Sequence, residues 1–239
     1  MRGRVSATKW RTPFNPFESR HEQDDFTEGN AWQYTWLVPH DVEGLIALQG
    51  GEQPFTRKLD SLFVIQGDLG KGHSPDISGL IGQYAHGNEP SHHIAYLYAY
   101  VGQPWKTADK VRFILDNFYT TKPDGIIGNE DVGQMSAWYV LSTLGFYPVN
   151  PANGMYVFGS PRINEATISL PAGKKFHVLV RNNSTANKYI AGVTLNGKPH
   201  MLNYLPHSSI AAGGELIITM SATPTDFGTS SESRPRSVN

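Results

Sequence analysis

Apolar residues recur at helical spacing in three segments of the first 150 residues. After Pro90, Ile94, Leu97, Tyr98 and Val101 fall at i, i+3, i+4 and i+7. Val111, Ile114, Leu115 and Phe118 repeat the pattern, as do Ala137, Val140, Leu141 and Leu144. Each set predicts a helix with one apolar stripe. Weaker helical patterns cover Asp41 to Leu48, Arg57 to Ile65 and Asp76 to Tyr84, each closed nearby by Gly or Pro. Such helices are the material of antiparallel hairpins. After Pro148-Val149-Asn150-Pro151 the pattern changes to short β-rich runs, namely Met155 to Phe158, Ala166 to Leu170, Phe176 to Val180, Tyr189 to Leu195 and Leu216 to Met220. Turn signals at Pro171-Ala172-Gly173, Asn196-Gly197 and Gly213-Gly214 separate them. The class expected is therefore α+β, with a helical portion over 1–150 and a small antiparallel β domain over 151–224. The stretch 225–239, rich in Ser, Thr and Arg and poor in apolar residues, is expected to be disordered.

Charge narrows the partners. Lys and Arg number 20 against 21 Asp and Glu, a formal net charge of −1, which gives no electrostatic footprint for nucleic acid or for an anionic membrane. Cysteine is absent, which excludes disulfides, thiolate zinc sites and a cysteine nucleophile. No apolar run approaches the roughly 20 residues that span a bilayer, and Met1-Arg2-Gly3-Arg4 leads into no signal core. The overlapping sequons at Asn182-Asn183-Ser184-Thr185 matter only in a eukaryotic secretory pathway.

Three polar clusters could carry chemistry. The junction Asp124-Gly125-Ile126-Ile127-Gly128-Asn129-Glu130-Asp131 places two acids and an amide in a glycine-flanked loop before a helix, whose N-terminus stabilises negative charge. Asp131 there suits a general base or a metal ligand, and helix capping is the plainer explanation. In Gly87-Asn88-Glu89-Pro90-Ser91-His92-His93, Asn88 and Glu89 supply oxygen donors that fit calcium better than zinc; the competing explanation makes Asn88 a cap and packs the histidines. The third cluster, Glu28-Gly29-Asn30-Ala31-Trp32-Gln33-Tyr34-Thr35-Trp36 with Pro39-His40-Asp41, sets aromatic rings beside amides and carboxylates, the usual platform for a sugar. A glutamate held against aromatics suits a general acid, because apolar surroundings favour the protonated form. Against this, at least one of Trp32 and Trp36 is expected simply to pack in a core. Gly67-Asp68-Leu69-Gly70-Lys71-Gly72-His73 lacks the spacing and hydroxyl of a phosphate loop, and no His-Glu-x-x-His occurs. Acids in two distant segments match the layout of a hydrolase whose acid and base work on opposite sides of one bond.

Taken in order, Thr27 to Trp36 with Pro39-His40-Asp41, then Gly87 to His93, then Gly128-Asn129-Glu130-Asp131-Val132-Gly133-Gln134-Met135-Ser136-Ala137-Trp138-Tyr139 resemble glycoside hydrolase family 92, the calcium-dependent exo-α-mannosidases. Gly145-Phe146-Tyr147-Pro148-Val149 extends the match, which reaches to about His200. The resemblance implies an inverting hydrolase that removes terminal α-linked mannose, most often 1,2-linked, from oligosaccharides or N-glycans outside the cytoplasm. It implies an (α/α)6 toroid with flanking β domains. Carried over by motif, Glu28 is the general acid and Asp131 the general base, with Glu130 beside it. Asn88 and Glu89, with Asp131 contributing, belong to the Ca2+ site, and Trp36, His40, Asp41, His92 and His93 line the mannose pocket.

Family members also begin with a β-sandwich domain that has no counterpart in this chain, and the helical segments supply about half of a toroid. The resemblance thus matches the C-terminal part of such an enzyme, with any signal peptide upstream. The expectation is mannosidase chemistry encoded in a chain that is weakly active or inactive alone. Two alternatives stand beside it: a non-catalytic carbohydrate-binding or structural module, and an (α/α)6 glycosidase acting on another sugar.

Overall fold

The computed structural model describes residues 1–237 and mixes helix with sheet. Its contacts divide the chain into two compact units.

The first unit comprises Met1–Val38, Gly44–His92 and Thr120–Met135. Its elements are short. A hairpin of β1 (Arg4–Ser6) and β2 (Lys9–Trp10) precedes a long loop and the single-turn helix α1 (Ala31–Tyr34). Helix α2 (Val42–Leu48) leads to α3 (Glu52–Leu62), which buries Phe55, Leu59 and Leu62 at the i, i+4, i+7 spacing of one stripe. Where the pattern Asp76 to Tyr84 predicts a helix, the chain forms a hairpin of β3 (Leu80–Ile81) and β4 (Tyr84–Ala85). Gly82 decides the difference: it is left-handed at φ 61, and an added Cβ would lie 2.5 Å from the Leu62 carbonyl oxygen.

The second unit comprises Pro39–Glu43, His93–Tyr119 and Ser136–Asn239. Here Ile94–Val101 winds as a 3₁₀ helix where an α-helix is expected. All eight of its residues are buried, so it has no solvent face and the apparent stripe is only part of an apolar cylinder. Helix α4 (Pro104–Asn117) packs on it and buries Val111, Ile114 and Leu115, as its period predicts. Helix α5 (Gln134–Leu144) starts in the first unit and runs into the second.

Beyond α5 lie β5 (Phe146–Tyr147), β6 (Met155–Phe158), β7 (Glu165–Ser169), β8 (Lys175–Arg181), β9 (Tyr189–Leu195), β10 (Lys198–Pro199), β11 (Tyr204–Pro206), helix α6 (His207–Ala212) and β12 (Gly214–Ser221). They form a five-stranded sheet ordered β10-β9-β12-β8-β7 and a three-stranded sheet ordered β11-β6-β5. The larger sheet is not wholly antiparallel as expected: β12 runs parallel to β8, with Leu216 opposite Val178 and Ile218 opposite Val180. The α6 segment brings the chain back to the end at which β8 begins, so β12 enters beside β8 in the same direction, between β8 and β9. Alternation on β8 and β12 points Phe176, Val178, Leu216 and Ile218 into one core with Phe146, Phe158 and Leu205.

Residues from Thr225 onward depart from the disorder expected of them. The Thr225 hydroxyl donates to the Ile190 carbonyl at 2.6 Å, Phe227 packs at a tilt against Phe158 with ring centroids 6.2 Å apart, and Ser233 is buried. One aromatic and a few hydroxyls suffice to seat a segment that composition alone marks as unanchored. Val238 and Asn239 lie outside the described residues. Among the described residues no helix is long and apolar enough to cross a membrane.

Candidate active site

Glu28 stands just before α1 with a left-handed backbone at φ 54, uncommon for a residue with a side chain and sustained only where the surroundings over-determine it. Asn30 supplies part of that constraint. Its side-chain oxygen accepts from the amides of Trp32 (3.0 Å) and Gln33 (3.2 Å), capping α1, while the Gln33 side chain accepts from the Asn30 amide at 2.8 Å. The Asn30 Nδ2 group donates to the Phe17 carbonyl (3.1 Å) and to Gln83 Oε1 (2.8 Å), so every hydrogen-bonding position of this buried amide is used. The Tyr34 hydroxyl donates to the Thr27 carbonyl, and burial pushes its pKa up. The chain on both sides of Glu28 is therefore tied down.

Asn88, buried at the start of the 3₁₀ turn Glu89–Ser91, fixes Glu28 itself. Its Nδ2 donates to the Glu28 carbonyl at 2.9 Å and lies 3.5 Å from Glu28 Oε2, a weak contact that still orients the carboxylate. Its Oδ1 accepts from the Glu89 amide at 3.1 Å.

The second acidic loop enters α5 through three successive left-handed residues, Asp131 (φ 52), Val132 (φ 56) and Gly133 (φ 94). Left-handed backbone normally occurs as single residues, and a β-branched residue in it is an outlier. Hydrogen bonds close the turn: the Glu130 carboxylate accepts from the Gly133 amide, Gln134 N donates to the Asp131 carbonyl at 3.1 Å, and Met135 N to the Glu130 carbonyl at 3.2 Å. Glu130 thus caps the turn, whereas the exposed Asp131 carboxylate accepts no hydrogen bond among the described residues.

The loop is seated from below. Asn129 donates to Asp76 Oδ1 at 3.0 Å, and Ser74 holds Asp76 Oδ2 at 2.7 Å. Gly128, left-handed at φ 78, meets Gly87: a Cβ on Gly128 would lie 2.6 Å from the Gly87 carbonyl oxygen. Gly87 directly precedes Asn88. A continuous line of contacts therefore runs from Glu28 through Asn88 and Gly87 to Gly128 and the loop bearing Asp131, all within the first unit.

Behind Asn88 lies a histidine pair with ring centroids 5.1 Å apart. His92 places Nε2 3.1 Å from the His86 carbonyl, which requires a donor there, and Nδ1 3.1 Å from the Gln134 side-chain amide, which leaves Nδ1 to accept. His86 sits 2.9 Å from the Tyr84 hydroxyl, and burial, then the neighbouring His92, hold its pKa well below the ordinary value. Both rings are buried, and His92 has both nitrogens engaged.

Glu28, Asn88, Glu89, His92, Glu130 and Asp131 thus share one unit, while His40, Asp41 and His93 fall in the other. His40 and Asp41 are exposed, and His93 is buried at the entry to the 3₁₀ helix. Trp36 is fully buried against Phe55 in an edge-to-face pair with centroids 5.4 Å apart, the packing expected of at least one of the two tryptophans and no open sugar platform. Asp76, Ser74 and Gln83 went unmarked by sequence reasoning. Asp76 and Gln83 hold polar groups of distant segments, with Ser74 fixing Asp76, and no local motif signals that.

Glu28 opens onto a cleft of about 250 Å3 lined also by His21, Glu22, Gln23, Asp24, Phe26 and Thr27. A metal would find only oxygen donors at Asn88, Glu89 and Asp131, and the Glu89 carboxylate accepts no hydrogen bond among the described residues. That chemistry fits a hard cation in kind. Among the described residues no group of three or more His, Cys, Asp and Glu is placed to hold a metal, so water or other oxygens would have to complete a coordination shell.

The family model described as the glycosyl hydrolase family 92 catalytic domain matches residues 1–222. A family GH92 α-mannosidase of Bacteroides thetaiotaomicron, solved in complex with mannoimidazole, is 41% identical with a TM-score of 0.93; the alignment covers 100% of this chain and 32% of that one. A family GH92 inverting mannosidase of Bacteroides thetaiotaomicron VPI-5482 is 40% identical with a TM-score of 0.81, covering 96% of this chain and 32% of that one. An uncharacterized secreted glycosidase of Arthroderma benhamiae is 30% identical over 215 residues, 88% of this chain and 26% of the relative. The chain thus spans about a third or less of the proteins it matches. With the family's motifs in order and its catalytic-domain model matched over nearly the whole length, the chain belongs to glycosyl hydrolase family 92.

Proposed function

We propose that this chain carries the acid and base of an inverting exo-α-mannosidase acting on mannose-containing oligosaccharides such as N-glycans, with α-1,2 linkages as the first substrate to test. The observation that carries the reading is the single line of contacts joining two constrained acidic turns, Glu28 through Asn88 and Gly87 to the Asp131 loop. Relatives that are α-mannosidases, one of them inverting, supply the substrate class and stereochemistry.

In this mechanism protonated Glu28 gives its proton to the glycosidic oxygen as the bond from that oxygen to the sugar C1 breaks. Asp131 takes a proton from a water that attacks C1 from the opposite face, releasing β-mannose. Inversion needs the two carboxyls roughly 6.5–9.5 Å apart to admit that water. Glu130 holds the turn that presents Asp131. Asn88 orients Glu28, and His92 supports the segment through Gln134 and His86. Trp36, fully buried, is assigned to the core.

Asn88 and Glu89, with Asp131, would hold calcium, which would polarise sugar hydroxyls and favour a distorted ring. The helical hairpins are read as part of an (α/α)6 toroid, with an N-terminal β-sandwich as partner and an extracytoplasmic setting, as the secreted relative suggests.

Proton NMR of an α-1,2-mannobiose digest, run with calcium and with chelator, tests this. Early β-mannose that disappears with chelator supports it. Early α-mannose rejects inversion, hydrolysis of glucosides alone selects another sugar, and no hydrolysis by the folded chain points to a part that needs the rest of the enzyme or to the non-catalytic module.

A further inference from the structure

A second cleft, of about 220 Å3, lies beside the one that holds Glu28. The two share Gln23, Asp24 and Phe26 as lining residues, and so adjoin along the loop 20–28.

The charged groups between the clefts are already spent. The Asp24 carboxylate accepts from the amides of Arg20 (2.5 Å) and Phe26 (2.8 Å), which fixes the loop, and Asp25 is held by both its oxygens 2.7 Å from the Arg11 guanidinium. Among the lining side chains, the Arg20 guanidinium and the Gln23 amide are planar donors that make no hydrogen bond among the described residues. They stand with the rings of Phe14 and Phe26, and Phe26 is steadied by Tyr34 with centroids 5.2 Å apart. Planar donors beside steadied rings suit the hydroxyl-rich edge and apolar face of a pyranose.

Direction follows from the chemistry. A general acid reaches the oxygen that bridges the cleaved sugar to the rest of the substrate, and in an inverting enzyme the base works on the far face of the cleaved ring. Neither cleft is lined by any residue of the loop bearing Asp131. We propose that the cleft of Phe14, Arg20, Gln23 and Phe26 receives the leaving-group side of the substrate, the next sugars of an α-linked oligosaccharide, so that the chain prefers substrates longer than a disaccharide. This rests on the assignment of Glu28 as the acid.

The test compares α-mannotriose with α-mannosyl fluoride, whose leaving group leaves this cleft empty. In Arg20→Ala and Gln23→Ala the ratio of kcat/KM for the trisaccharide to that for the fluoride should fall about tenfold. An unchanged ratio in both variants overturns the proposal, even if both rates drop. If the unsubstituted chain turns over neither substrate, the mannosidase assignment fails for the isolated chain, and calorimetric titration of mannotriose decides the cleft separately. Binding weakened about tenfold in the variants supports it; binding that is absent from the unsubstituted chain, or equal in all three proteins, overturns it.

Discussion

The β module and the acidic loops are built on opposite principles. In β8 and β12 every second side chain enters the core, and Phe176, Val178, Leu216 and Ile218 are fully buried. Around Glu28 and Asp131 the buried groups are polar, namely Asn30, Gln83, His86, Asn88 and His92, and the backbone is left-handed at Glu28, Asp131 and Val132. The sheet gains its stability from apolar area, which is indifferent to direction. The loops spend stability on hydrogen bonds that fix direction, as a site that must aim two carboxylates requires.

Substitution should separate the two regions. Asp131→Asn should lower kcat by ~10²–10⁴-fold, the usual worth of a general base, while thermal unfolding stays where it was; a matching loss of stability would make the loop a structural element. Leu216→Ala should do the reverse, with a stability loss of about 2–5 kcal/mol in denaturant titration, since a fully buried leucine leaves a cavity. If it left stability intact, the sheet would not be the mainstay of its unit.

The buried histidine gives the loop unit a pH dependence in the acidic range. His86 has a folded-state pKa below its ordinary 6.5, so the unfolded chain takes up the proton first. Stability is complete above about pH 6.5 and is lost as pH falls towards the folded value, by at most about 1.4 kcal/mol per unit. Urea midpoints between neutral and acidic pH should show this slope, and His86→Gln should reduce it. The smallest expected effect has the opposite sign. Val132→Gly relieves a left-handed β-branched residue that is fully exposed, and should raise stability by about 1 kcal/mol. No gain in melting temperature would mean that the turn is unstrained.

This contrast also explains what could be read from the sequence. Strands β6 and β9 and the stripe of α4 follow from periodicity, because a regular element facing one core writes its period into the chain. The parallel pairing of β12 with β8 does not, since strand direction depends on where a distant segment returns. The hairpin at Leu80–Ala85 was hidden because its apolar residues mimic helical spacing and only the glycine marks the turn. The motifs around Glu28, Asn88 and Asp131 stood out by composition and resemblance. Their supports at Asp76 and Gln83 did not, being single polar residues whose meaning lies in a partner about 50 positions away, and Ser74 matters only through Asp76.

The contact of Gly128 on Gly87 has a consequence for how such a protein can change over generations. Main chain resting on main chain offers nothing for side-chain drift to act on at the contact itself, so the spacing between the two acidic turns does not depend on a side chain at either position. The same joint tolerates no gradual adjustment: a single added methyl group at Gly128 would meet a carbonyl at 2.6 Å. A change of specificity would therefore fall on the walls of the clefts, with this joint of bare backbone left as it is.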